Sequence, residues 1–156
     1  MSTQSKLNDW LFLVGEWKGK GKLETVTEET GTIDSTATFT LEMGGTAIMG
    51  IHKATQGNKI VNQSIGILFY DVLNETFRRK SFFSYGFVNN EVAYESSPQE
   101  IRFTVESEPL PSQFKDLRWR SYITKATPTT ILLGLEQAKK GGDFQLYNET
   151  RLEKIA

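Results

Sequence analysis

From Gly15 onward the chain is written in period two. Thr36 to Leu41 sets Ala37, Phe39 and Leu41 among threonines, and Ile101, Phe103 and Val105 alternate with Arg102, Thr104 and Glu106. Side chains on an extended backbone point alternately to opposite faces, so these runs read as half-buried strands. Compact turn signals separate them: Glu29-Thr30-Gly31, Gly44-Gly45, Gln56-Gly57-Asn58, Asp71-Val72-Leu73-Asn74, Val88-Asn89-Asn90, Ser97-Pro98-Gln99, Thr127-Pro128-Thr129 and Lys140-Gly141-Gly142-Asp143. Returns this short join antiparallel neighbours, because a parallel pair needs a crossover of about a dozen residues or more. The expected strands lie at 16–27, 32–43, 46–55, 59–70, 75–87, 91–96, 100–107, 117–126, 130–138 and 143–154. Hairpin-linked strands in such number either stack as a sandwich or close on themselves, and closure removes both exposed edges. The fold class is therefore read as all-β, an antiparallel up-and-down β-barrel of about ten strands over 16–154.

Ahead of the barrel, Leu7, Trp10, Leu11 and Val14 recur at helical spacing, with Ser5 to cap the start and Gly15 to end it. A short N-terminal helix over 5–14 is expected as a lid or plug. One long irregular link, Ser107 to Asp116 with Pro109 and Pro111, is either a mouth loop or an excursion between strands. Barrel and helix together account for nearly all of the 156 residues, so a single domain, 1–156, is expected. Function should then reside inside the barrel or at its mouth.

Composition removes several chemistries. Eighteen Lys and Arg against 19 Asp and Glu give a net charge of -1, with no general field for a nucleic-acid backbone, and Arg78-Arg79-Lys80 is too short a basic run to supply one. The absence of cysteine excludes disulfides, thiolate catalysis and cysteine zinc sites, and a single histidine excludes a multi-histidine metal site. No phosphate-cradling glycine loop or nucleophile elbow occurs, and the Gly-x-Gly of Gly19 to Gly21 falls within a strand. The polar start, Met1 to Asp9, and the short apolar stretch Trp10 to Val14 lack the form of a signal peptide or a membrane span, so a cytoplasmic protein is expected.

The segment Phe12-Leu13-Val14-Gly15-Glu16-Trp17-Lys18-Gly19-Lys20-Gly21 contains a Gly-x-Trp signature at the start of the first strand. It resembles the opening of calycin barrels, and in its longer form that of nitrobindin and related bacterial lipocalin-like domains. Gly66 to Asp71, with Tyr70-Asp71 before a hairpin, and the aromatic strand Phe77 to Phe87 are similar to the same domains. The resemblance implies a barrel of about ten strands around an apolar small molecule. It also implies that Gly15 and Trp17 close the barrel base, with a basic residue of the final strand packed on the indole. Arg151 stands where that residue is expected, against the alternative of a solvated surface charge. Nitrobindin-like barrels bind haem through a histidine near the C-terminal end of the barrel. No histidine follows His52 here, so the family's haem ligand is absent and the cofactor stays open.

Two strands offer candidate ligand contacts. Arg118, Arg120 and Tyr122 share one face, and Leu117, Trp119 and Ile123 share the other. If Arg120 and Tyr122 point inward, they form a carboxylate-binding pair like that of fatty-acid-binding barrels. If Trp119 and Ile123 do, the arginines are solvated. Phe77, Arg79, Ser81, Phe83 and Tyr85 form an apolar set expected to face inward, so Arg79 needs a partner carboxylate, a ligand or a rim position. Tyr85 and Tyr94 suit a pocket wall or ordinary β packing, and His52 suits a ligand hydrogen bond or a structural one. The expected partner is a small hydrophobic or carboxylate-bearing ligand, with haem and a small barrel enzyme as alternatives. A homodimer through one barrel wall is compatible with each.

Overall fold

A computed structural model describes residues 6–24, 30–108 and 115–156. It contains ten strands: β1 (Gly15–Glu24), β2 (Thr30–Glu42), β3 (Ala47–Gln56), β4 (Lys59–Asp71), β5 (Thr76–Phe83), β6 (Val88–Ser96), β7 (Glu100–Glu108), β8 (Leu117–Thr127), β9 (Thr130–Lys139) and β10 (Gln145–Lys154). Each pairs antiparallel with its neighbours in sequence, and β1 pairs with β10, so the sheet closes as an up-and-down barrel. Closure joins the two strands that would otherwise offer unpaired N–H and C=O groups to other chains.

The closing seam explains the glycines of the first strand. A Cβ on Gly19 would lie 1.8 Å from the Arg151 carbonyl oxygen, and one on Gly21 would lie 2.6 Å from Thr150 Oγ1. Side chains at these positions would force β1 and β10 apart, so the glycines serve a tight barrel corner. Gly15 is held at a φ of 135°, where its missing Cβ leaves room for the Ala156 carbonyl.

The N-terminal helix differs from its expected form. Asn8–Leu13 is a 3₁₀ helix, and its buried side chains are Trp10 and Leu13, continuing Leu7 at intervals of three. Three residues per turn bring positions 7, 10 and 13 onto one line, whereas an α-helix would have aligned Leu11 and Val14 with Leu7. Leu11 is instead exposed. The expected Ser5 cap and the Pro109 and Pro111 link lie outside the described residues. Leu7, Trp10 and Leu13 join Trp17, Ile48, Leu68, Phe77, Phe103, Ile123 and Leu152 in the core that plugs this end of the barrel.

A second correction concerns the hairpin between β5 and β6. Val88-Asn89-Asn90 is strand, and the chain reverses over residues 84–87 instead. Phe83 N–H donates to the Phe87 carbonyl, the two rings stack at 4.7 Å, and Gly86 supplies a φ of 89°. A left-handed φ costs glycine almost nothing, which puts the reversal there rather than at the asparagines. The shift places Glu91 inside β6, directly opposite Arg79.

Candidate ligand cavity

The barrel interior holds a cavity of about 210 Å³. Its walls are apolar near the plugging helix, where Leu13, Ile48, Leu68, Ile123 and Leu133 line it. Gly50 and Gly66 stand opposite each other in register on its wall, and the Phe39 ring packs over Gly50, where a Cβ would lie 2.6 Å from it. Further along the barrel the lining turns polar, with His52, Asn62 and Ser64 on one wall and Arg79, Ser81, Glu91 and Ser121 on another.

Arg79 and Glu91 form a bidentate pair. Arg79 Nε donates to Glu91 Oε2 and Nη2 to Oε1, both at 2.7 Å, while Ser121 Oγ donates to Oε1 at 2.6 Å and Ser81 Oγ to Oε2 at 3.2 Å. Arg79 thus finds its partner carboxylate within the chain. Its guanidinium also lies 5.0 Å from the centre of the Phe103 ring. Burial pulls the guanidinium pKa down, but the Glu91 charge and hydrogen bonds outweigh this and leave it above the ordinary arginine value. Glu91 is only 4% exposed, so a full set of donors is what makes its burial tolerable.

The opposite wall is less complete. Among the described residues, three buried side-chain atoms have no hydrogen-bond partner: His52 Nε2, Asn62 Oδ1 and Arg120 Nε. His52 and Asn62 sit diagonally across the β3–β4 ladder and both line the cavity. Burial lowers the His52 pKa below its ordinary value, favouring the neutral imidazole. The unfolded chain therefore takes up this proton more readily. The neutral ring's contribution is intact above the unfolded pKa of about 6.5 and is lost as pH falls from there to the lower folded value. Urea unfolding between pH 7.5 and 5.5 should accordingly show stability falling more steeply in the wild type than in His52→Leu; equal slopes would mean that the ring titrates as if solvated.

The other candidate residues lie elsewhere. On β8 the cavity receives Ser121 and Ile123, so Arg120 and Tyr122 project from the outer wall. Arg120 stacks there on Tyr94 at 4.9 Å and on Phe144 at 4.0 Å. Tyr122 lies across Gly134, where a Cβ would come within 1.9 Å of the ring, and its hydroxyl donates to Glu149. Desolvation first, then the Glu149 hydrogen bond and charge, push the phenol pKa well up. Tyr85 is exposed in the β5–β6 turn and donates to the Val61 carbonyl. At the plugged end, Trp17 Nε1 donates to the Leu13 carbonyl at 2.7 Å. The cation over its ring is Lys154, at 5.5 Å, whose ammonium also donates to the Phe12 carbonyl at 2.8 Å. Arg151 is exposed and paired with Glu153, because its position in β10 alternates with the inward Thr150 and Leu152.

Glu91, Ser121 and Asn62 are the site residues that sequence reasoning missed. Placing the turn at residues 84–87 would have set Arg79 and Glu91 opposite each other as an ion pair on an inward face. Asn62 carries no comparable signal, since polar residues alternate along both faces of β4. Among the described residues no three His, Asp or Glu side chains gather as a metal site would need, and no helix is long and apolar enough to cross a membrane.

Neither a protein-family model nor a curated protein sequence matches the chain. Solved structures do. Rv2717c from M. tuberculosis superposes with a TM-score of 0.70 at 16% identity, over 96% of this chain and 97% of its own. The S-type phycobiliprotein lyase CPES from Guillardia theta gives 0.58 at 13% identity, over 100% and 94%. These likenesses, both under 25% identity, bear on the fold alone, and that fold is the closed ten-strand antiparallel barrel described above.

Proposed function

We propose that the protein binds one small, largely apolar molecule inside the barrel. The observation that carries this reading is the cavity itself. Side chains can fill a small barrel completely, yet here about 210 Å³ stays open beside the plugging core. Its lining combines an apolar floor with a few converging polar groups, the usual composition of a small-molecule site. The volume falls below the roughly 300–1,000 Å³ that takes drug-sized ligands, so the occupant is compact. The neutral His52 ring is a chemically suitable iron ligand, but a porphyrin is larger than the cavity of about 210 Å³ and the C-terminal histidine of nitrobindin-like barrels has no counterpart here, so the compact-ligand reading is preferred.

Naphthalene, compact and uncharged, is a suitable reporter. Titration followed by its fluorescence should show saturable one-to-one binding, abolished in Ser64→Phe, where the new ring projects into the cavity. Binding that is absent, or unchanged in Ser64→Phe, would overturn the proposal. Circular dichroism of the variant checks that the barrel persists.

A further inference from the structure

We propose that the occupant's polar end is an uncharged group that both donates and accepts a hydrogen bond, in the first instance an alcohol hydroxyl. The inference rests on the cavity reading above and adds the chemical class of its ligand.

Two observations carry it. First, the charge inside the cavity is already balanced. Glu91 occupies the Nε and Nη2 edge of Arg79 in a two-point fork and takes two further donors from Ser81 and Ser121. A ligand carboxylate brought to the remaining edge of the guanidinium would lie in the field of the Glu91 carboxylate, where repulsion offsets much of the attraction. Arg120, the other candidate for a carboxylate partner, stacks on Tyr94 and Phe144 on the outer wall. No second cation replaces it among the cavity-lining residues.

Second, the polar atoms still needing partners are those of His52 and Asn62. Asn62 Oδ1 is an acceptor and requires a donor, while His52 Nε2 takes either role according to its tautomer. A carboxylate has no proton to give Asn62, and a hydrocarbon satisfies neither atom. In the empty barrel neither atom has a partner, and an occupant that supplies none leaves both uncompensated. A hydroxyl gives one bond and takes one, so it suits the wall whichever tautomer His52 adopts. The apolar floor then takes the hydrocarbon part. Buried polar atoms left without partners are costly to keep. A ligand that completes them gives the wall a role that packing alone does not.

The test uses 1-octanol and octanoate, which share a chain and differ at the polar end, titrated calorimetrically into the full-length protein at pH 7.5, with naphthalene as reference. Octanol should bind at least about tenfold more tightly than octanoate. His52→Leu and Asn62→Leu should each weaken octanol about fivefold or more, leave naphthalene nearly unchanged, and hold or raise Tm, because each removes an unpartnered polar atom. Octanoate binding as tightly as octanol, or octanol unaffected in both variants, would overturn the hydroxyl assignment while leaving the cavity reading intact. Failure of all three compounds to bind would overturn both.

Discussion

Replacing Glu91 with alanine should destabilise the barrel by about 3–5 kcal/mol, the usual cost of leaving one member of a buried ion pair uncompensated. The magnitude follows from position. Glu91 is 4% exposed, and the Arg79 guanidinium it neutralises lies against the Phe103 face, with only a fifth of the arginine side chain reaching solvent. Removing the carboxylate leaves that charge with only the Ser121 hydroxyl, which accepts from Nη2 at 3.3 Å, and takes the acceptor away from both Ser81 and Ser121. The double variant Arg79→Met with Glu91→Leu should recover most of the loss, since apolar groups of similar volume replace a buried pair at little cost. Urea denaturation gives both values, provided the slope m stays constant across the set. A loss below about 1 kcal/mol in Glu91→Ala would place the pair in solvent-like surroundings and remove the case for a balanced, dry cavity wall.

Trp17→Ala should cost about 3–5 kcal/mol, the range for truncating a buried aromatic side chain to alanine. Trp17 is 1% exposed, and its ring joins three parts of the chain at the plugged end. It packs edge-on to Phe12 at 6.4 Å, donates to the Leu13 carbonyl and lies under Lys154 of the last strand. Trp17→Phe should lose less, because most of the buried area survives and only the indole hydrogen bond and part of the cation attraction are removed. Thermal unfolding by circular dichroism distinguishes the two. A loss in Trp17→Ala within about 0.5 kcal/mol, typical of a surface site, would mean that the helix and the seam hold the base without it.

The barrel was legible in the sequence because its determinants are local. Alternation over Thr36 to Leu41 and Ile101 to Glu106 assigned faces, and glycine-rich turns set hairpin lengths, so strand order followed from chain order. Details that depend on comparing near-equivalent local options were less legible. An α and a 3₁₀ reading of residues 7–14 differ by less than one residue per turn, and only burial of Leu13 in place of Leu11 separates them. The cation over Trp17 is Lys154 rather than Arg151, to which the resemblance points, and it lies three residues on, where β10 meets the helix.

The site was harder to read because its chemistry arises between strands. Arg79 lines the cavity and finds its partner in Glu91, a pairing that only the turn at residues 84–87 brings into register. On β8 the alternation was clear and its polarity was not. Tyr122 is buried on the outer wall over Gly134, a packing that makes an outward residue look like a core one. Asn62 gained meaning only from the absence of a partner in three dimensions.

The most direct measurement of the central claim is an isotope-filtered nuclear Overhauser experiment on methyl-labelled protein saturated with naphthalene. Cross-peaks should connect the ligand to the methyl groups of Leu68, Ile123 and Leu133, which line the cavity. Cross-peaks confined to Ile60 and Leu73, exposed away from the cavity lining, or none at all, would contradict an interior binding site.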